Sequence, residues 1–91
     1  MDYRFEDYPL GEGSHEQQDV KADLEMIRED LIDELQAINQ YEQHLENLES
    51  EEAVATLEHI LEQEKEHVAE LLRLIYALDP VQAEKLNRPI L

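Results

Sequence analysis

The chain has 91 residues, with 24 Asp and Glu against 7 Lys and Arg, a formal net charge of −17 and no cysteine. That length bounds it to one small domain near the lower limit for burying a core alone, and that charge opposes nucleic acid and anionic membrane surfaces while attracting cations. The lack of thiols excludes disulfides, thiolate zinc sites, iron–sulfur clusters and rubredoxin-type centres, so any metal must be held by oxygen and imidazole.

Met1-Asp2-Tyr3-Arg4-Phe5-Glu6-Asp7 carries neither a basic n-region nor an apolar h-region. No run approaches the ~20 apolar residues of a membrane span, so a cytoplasmic location is expected. Residues 1–18 are read as a flexible arm, since Pro9, Gly11 and Gly13 fall there and no helical period develops. Tyr3, Phe5, Tyr8 and Leu10 are its apolar residues. Ser14-His15-Glu16-Gln17 has the form of a capping box, but Asp19 is an equally good start, and the first long helix is expected from Asp19 to Leu48.

Steps of three and four along that segment give Leu24, Ile27, Leu31, Glu34, Ile38, Tyr41, Leu45 and Leu48. This is one helix face, aliphatic except for a single carboxylate. Glu49-Ser50-Glu51-Glu52 reads as a turn, with Ser50 the N-cap of a second helix and acidic residues in its first turn. The second helix is expected to run from Glu51 or Glu52 to Leu78. Its face is Val54, Leu57, Leu61, Glu64, Val68, Leu71, Ile75 and Leu78, widened by Ile60, His67 and Leu74. Asp79-Pro80-Val81-Gln82 ends it and starts a short third helix, with Asp79 as cap and proline at the first helical position. That helix reaches Leu86, so residues 19–86 form the helical domain and 87–91 a tail. The fold class is all-α: an antiparallel two-helix hairpin plus a short C-terminal helix.

An unpaired carboxylate in an apolar seam costs several kcal/mol as an order of magnitude, so one in each of two seams calls for a cation. In a hairpin turning at Glu49, Glu34 and Glu64 are each fifteen residues from the turn. A rise of 1.5 Å per residue puts both at one level, roughly 22 Å from it. His67 stands three residues after Glu64, on the same face. Di-iron carboxylate bundles take one Glu from each of two helices and a Glu-x-x-His pair from each of the other two. This chain holds one of each, Glu34 and Glu64 with His67, so a two-fold dimer would complete a four-helix bundle with four carboxylates and two imidazoles. Such ligands suit iron or manganese, and zinc on ligand type alone. Tyr41, two turns from Glu34 on the same stripe, is placed either beside the site, tuning it through a ligand carboxylate, or in ordinary core packing. His44 is read as a boundary residue; His15 and His59, with Glu62, Glu66 and Glu70, are read as solvated.

Asp33-Glu34-Leu35-Gln36-Ala37-Ile38-Asn39-Gln40-Tyr41-Glu42-Gln43, with Glu64-Lys65-Glu66-His67-Val68 and the Leu78-Asp79-Pro80 exit, resembles the encapsulated ferritins, two-helix ferritin-like proteins. The resemblance covers residues 24 to 86. It implies a ferritin-like four-helix bundle formed by a homodimer, and a di-iron ferroxidase centre made by Glu34, Glu64 and His67 of both chains, Glu64 bridging. It further implies ring-like assembly of dimers and residence within an encapsulin nanocompartment, with the encapsulin shell protein as partner. Some members of the family carry further acidic residues beside the first ligand; here Asp33 is acidic and Gln36 neutral. No glycine-containing docking peptide follows Leu86. The expected activity is oxidation of Fe(II) to Fe(III) at Glu34, Glu64 and His67, with Tyr41 adjusting the site. The alternatives are a non-catalytic metal-binding regulator or carrier of manganese or zinc, and a purely structural helical-hairpin interaction protein.

Overall fold

A computed structural model of the chain describes residues 13–89, with side chains from Asp19 onward. The described residues are helical or turn, in the order α1 (Gly13–Leu45), α2 (Glu51–Leu78) and α3 (Pro80–Leu86). The hairpin and the short third helix are as expected; residues 1–12, most of the expected arm, lie outside the described residues, as do 90 and 91 of the tail. None of these helices is long and apolar enough to cross a membrane.

Both ends of α1 differ from the expectation. It begins at Gly13, six residues before Asp19. No glycine or proline intervenes between Gly13 and Pro80, so nothing in the backbone chemistry forces a later start. It ends at Leu45, three residues before Leu48. The cause is local: Glu46 N–H donates to Gln43 O and Asn47 N–H to His44 O, bonds of the tighter i to i+3 kind. Asn47 also spends its side-chain amide on Gln43 O at 3.2 Å, closing the last turn. Leu48 is left exposed in the turn, outside both long helices.

The other termini follow the residues named from sequence. Ser50 is extended, and its Oγ accepts from Ala53 N–H at 3.2 Å, with Glu51 and Glu52 in the first turn of α2. Asp79 has two backbone duties. Its N–H closes α2 on Ile75 O, and its Oδ1 accepts from Gln82 N–H at 3.1 Å to open α3, where Pro80 has no N–H to satisfy. Tyr76 Oη donates to Asn87 Oδ1 at 2.9 Å, tying the far end of α3 back to α2.

The two seams face each other as the three–four spacing requires. Every seam position from Leu24 to Leu45 and from Val54 to Leu78 is buried or half-buried. Among the described residues only Leu24 and Ile75 are buried, at 8% and 5% exposed, and none is sealed off completely. Leu24 lies ten residues before Glu34 and Ile75 eleven after Glu64, so the two meet at one level, at the end of the hairpin away from the turn. A two-helix layer of this kind covers one face of each helix and no more. Met26, Ile32, Leu35, Leu72, Leu74, Tyr76, Val81 and Leu86 therefore remain exposed.

Candidate metal centre

Glu34 sits eleven residues before the end of α1, and Glu64 thirteen residues after the start of α2. The turn is therefore centred one residue earlier than Glu49, which offsets the two carboxylates by two residues, about 3 Å along the axis, an offset their side chains span. His67 Nδ1 lies 3.6 Å from Glu34 Oε1 and 3.8 Å from Glu64 Oε1. One donor atom from each of the three residues falls within 4.8 Å of the others, the one such cluster of three or more His, Asp or Glu among the described residues.

These separations suit an ion between the donors better than hydrogen bonds among them. Both imidazole contacts exceed the ~3.2 Å reach of a good N–H···O bond. Two bonds of about 2.1 Å to one ion span at most about 4.2 Å, which covers both. The carboxylates are the sheltered members, their side chains 26% exposed at Glu34 and 17% at Glu64, while the His67 side chain is 50% exposed. The set thus opens to one side of the hairpin, and Asp30, Asp33, Glu34, His67, Glu70 and Leu71 line a shallow cavity of about 350 Å³ there. Three protein donors leave an oxygen-preferring ion of six-fold coordination half served.

Tyr41 is half-buried on the Glu34 stripe, two turns nearer the hairpin turn, and is not among the residues lining this cavity. His59, Glu62 and Glu66 are exposed, as read; His44, read as a boundary residue, is exposed as well. Of the cavity residues, sequence reasoning leaves Asp30 unassigned and reads Glu70 as solvated. Asp30 is four residues before Glu34 and Glu70 three after His67, spacings that place each on the ligand side and could have flagged both. At 100° per residue, Leu74 stands about 20° round α2 from His67 and Met26 about 80° round α1 from Glu34 on that same side. Leu72 and Tyr76 stand about 140° and 180° away, so apolar surface is exposed on more than one flank.

No family model matches the chain, and no solved structure does. Curated proteins do. It is 44% identical over 57 residues to the encapsulin nanocompartment cargo protein EncC of Myxococcus xanthus, covering 63% of this chain and 44% of the relative. A ferritin-like-encapsulin shell fusion protein of Pyrococcus furiosus is 40% identical over 64 residues, 70% of this chain and 19% of the fusion. The cargo protein EncB of M. xanthus is 34% identical over 67 residues, 74% of this chain and 42% of that protein. The chain thus spans less than half the length of each of these relatives.

Proposed function

We propose that this chain is a ferroxidase module carried as encapsulin cargo, in which two copies pair to oxidise Fe(II) at a centre neither holds alone. The observation that carries the proposal is the convergence of Glu34, Glu64 and His67 within 4.8 Å, with the two carboxylates sheltered and His67 exposed beside them. The donor chemistry fits iron: two carboxylate oxygens and an imidazole from one chain, and no thiolate anywhere in the sequence. Manganese or zinc would fit the same donors. A two-fold related copy covering that side raises the set to four carboxylates and two imidazoles, the composition of a di-iron carboxylate bundle. Two relatives named as encapsulin cargo and one named as a shell fusion support the compartment and the shell protein as partner.

Iron(II) is the substrate, and the reaction balances without help from other groups. Two Fe(II) with hydrogen peroxide and two protons give two Fe(III) and two waters; with dioxygen and two protons they give two Fe(III) and hydrogen peroxide. The residues hold and orient. Four carboxylates balance the charge of two divalent ions and favour the more highly charged product. His67 supplies a neutral donor that adds no further negative charge. One hairpin is too small to enclose a mineral, so storage falls to the compartment.

The test is aerobic Fe(II) oxidation against a buffer blank. His67→Ala and Glu64→Ala should fall to the blank rate with far-UV helicity unchanged, while Glu62→Ala, exposed on the other side, should match wild type. Equal rates for wild type and His67→Ala refute the assignment.

A further inference from the structure

We infer that Arg28 and Asp79 are positioning residues for the metal centre: their ion pair is an oblique strut that holds α1 and α2 in the register that brings Glu34 to Glu64 and His67. The inference rests on the proposed metal site. Arg28 Nη2 lies 2.9 Å from Asp79 Oδ2 across 51 residues of sequence. The Asp79 side chain is only 19% exposed, and its other oxygen is committed to the α3 N-terminus. Asp79 is therefore fixed by α2 behind it and α3 ahead of it, and Arg28 anchors α1 to that fixed point.

The slope of the pair gives it this role. Arg28 is six residues before Glu34, whereas Asp79 is fifteen after Glu64 and twelve after His67. The two ends thus differ in level by roughly 12 Å along the helix axis. Long side chains on a helix lean toward its N-terminus, which for Arg28 is the direction of Asp79. A contact between residues at one level barely changes length when helices slide. An oblique one changes length in direct proportion. A slide of one residue moves Glu34 by about 1.5 Å against His67, several times the ~0.2 Å tolerance of a metal–ligand bond. The turn fixes the other end of the hairpin, so a strut at the open end completes the constraint. The pair Lys65–Glu42 slopes the same way, but at 3.8 Å with both side chains more than half exposed it is screened by water.

Because Arg28 is itself half exposed, the strut adds little global stability, and its effect should appear in metal binding. The experiment titrates Co(II) into the protein as purified, reading affinity by calorimetry and ligand geometry by the visible d–d spectrum. Arg28→Ala and Asp79→Asn should each bind on the order of tenfold more weakly with a changed spectrum, at the low end of losses seen when the outer partners of metal ligands are removed. Helicity and melting temperature should stay near wild type. Asparagine keeps the cap acceptor of α3, so Asp79→Asn removes the charge pair alone. Arg28→Lys restores a cation at the same place and should recover most of the affinity; Arg88→Ala, which loses only its pair with Glu84, should behave as wild type. Wild-type affinity and spectrum in both Arg28→Ala and Asp79→Asn overturn the inference and leave the metal site standing. Absence of Co(II) binding by wild type overturns the site and this inference with it.

Discussion

Replacing both seam carboxylates by their amides, Glu34→Gln with Glu64→Gln, should stabilise the metal-free protein while removing its response to metal. The donor oxygens of the two residues lie within 4.8 Å of each other, and both side chains are less than a third exposed. Two like charges at that distance repel by about 1 kcal/mol if screened as in water and about 3 kcal/mol at an effective dielectric of 20. Pairing two chains over this side brings four such groups together, so the repulsion also opposes association. Glutamine keeps shape and removes charge. For a domain of this size about 1 kcal/mol moves the melting temperature by roughly 4 to 8 °C, so in chelator the double variant should melt at least about 4 °C above wild type. Anaerobic Fe(II) should raise the wild-type curve, by about 2.7 kcal/mol at a hundredfold excess over the dissociation constant, and leave the variant unmoved. Native mass spectrometry should show wild type shifting to smaller species in chelator and back with Fe(II), with the variant associated throughout. A variant that melts below wild type in chelator refutes the reasoning, because the carboxylates would then be held by His67 as a structural triad with no call for a metal.

Ile75→Ala truncates the most buried of the described residues. It should cost roughly 2 to 5 kcal/mol in thermal or urea unfolding, against a change near zero for exposed Leu86→Ser read on the same protein. Deletion of residues 89–91, which spares the Asn87 contact with Tyr76, should leave helicity and Fe(II) oxidation intact but lower loading into a co-expressed encapsulin shell; undiminished loading would move the docking role to the segment carrying Tyr3, Phe5 and Tyr8.

The seam and its two carboxylates were legible because helical burial is periodic, and a charge inside an aliphatic period stands out. Caps were legible for a similar reason: Ser50 and Asp79 carry short acceptors, one beside acidic first-turn residues and the other beside Pro80. The end of α1 was not. Leu48 continues the three–four period, and period alone gives no sign that Asn47 will turn its amide back to Gln43 and close the helix early. Nor was the pair of Arg28 with Asp79 readable, since a contact between residues 51 apart depends on how far the helices slide, which the sequence does not state. Glu70 was read as solvated surface and is indeed exposed, yet it shares a cavity with His67. Periodicity distinguishes the core from everything else, and cannot separate a concave flank from a convex one.

A hairpin has a geometric reason to carry only half of a metal centre. Helices in contact pack 8 to 10 Å apart, and at any one level each presents to its neighbour about two side chains, at i and i+3 or i+4. Here α1 gives Glu34, and α2 gives Glu64 and His67. Glu64 and His67 already span about one turn, so a donor from a further turn would lie about 10 Å along the axis from one of them, beyond the about 4.2 Å that two bonds of about 2.1 Å to one ion can span. Two helices alone therefore cannot surround a six-coordinate ion with protein donors, whatever their sequence. The remaining ligands must come from water or from another chain, and the exposed side on which His67 lies is where either would arrive. Water would complete the ion without excluding the carrier reading. A second chain would bring two more carboxylates, a second imidazole and the apolar cover that Met26 and Leu74 lack, which is why pairing and iron oxidation are proposed together.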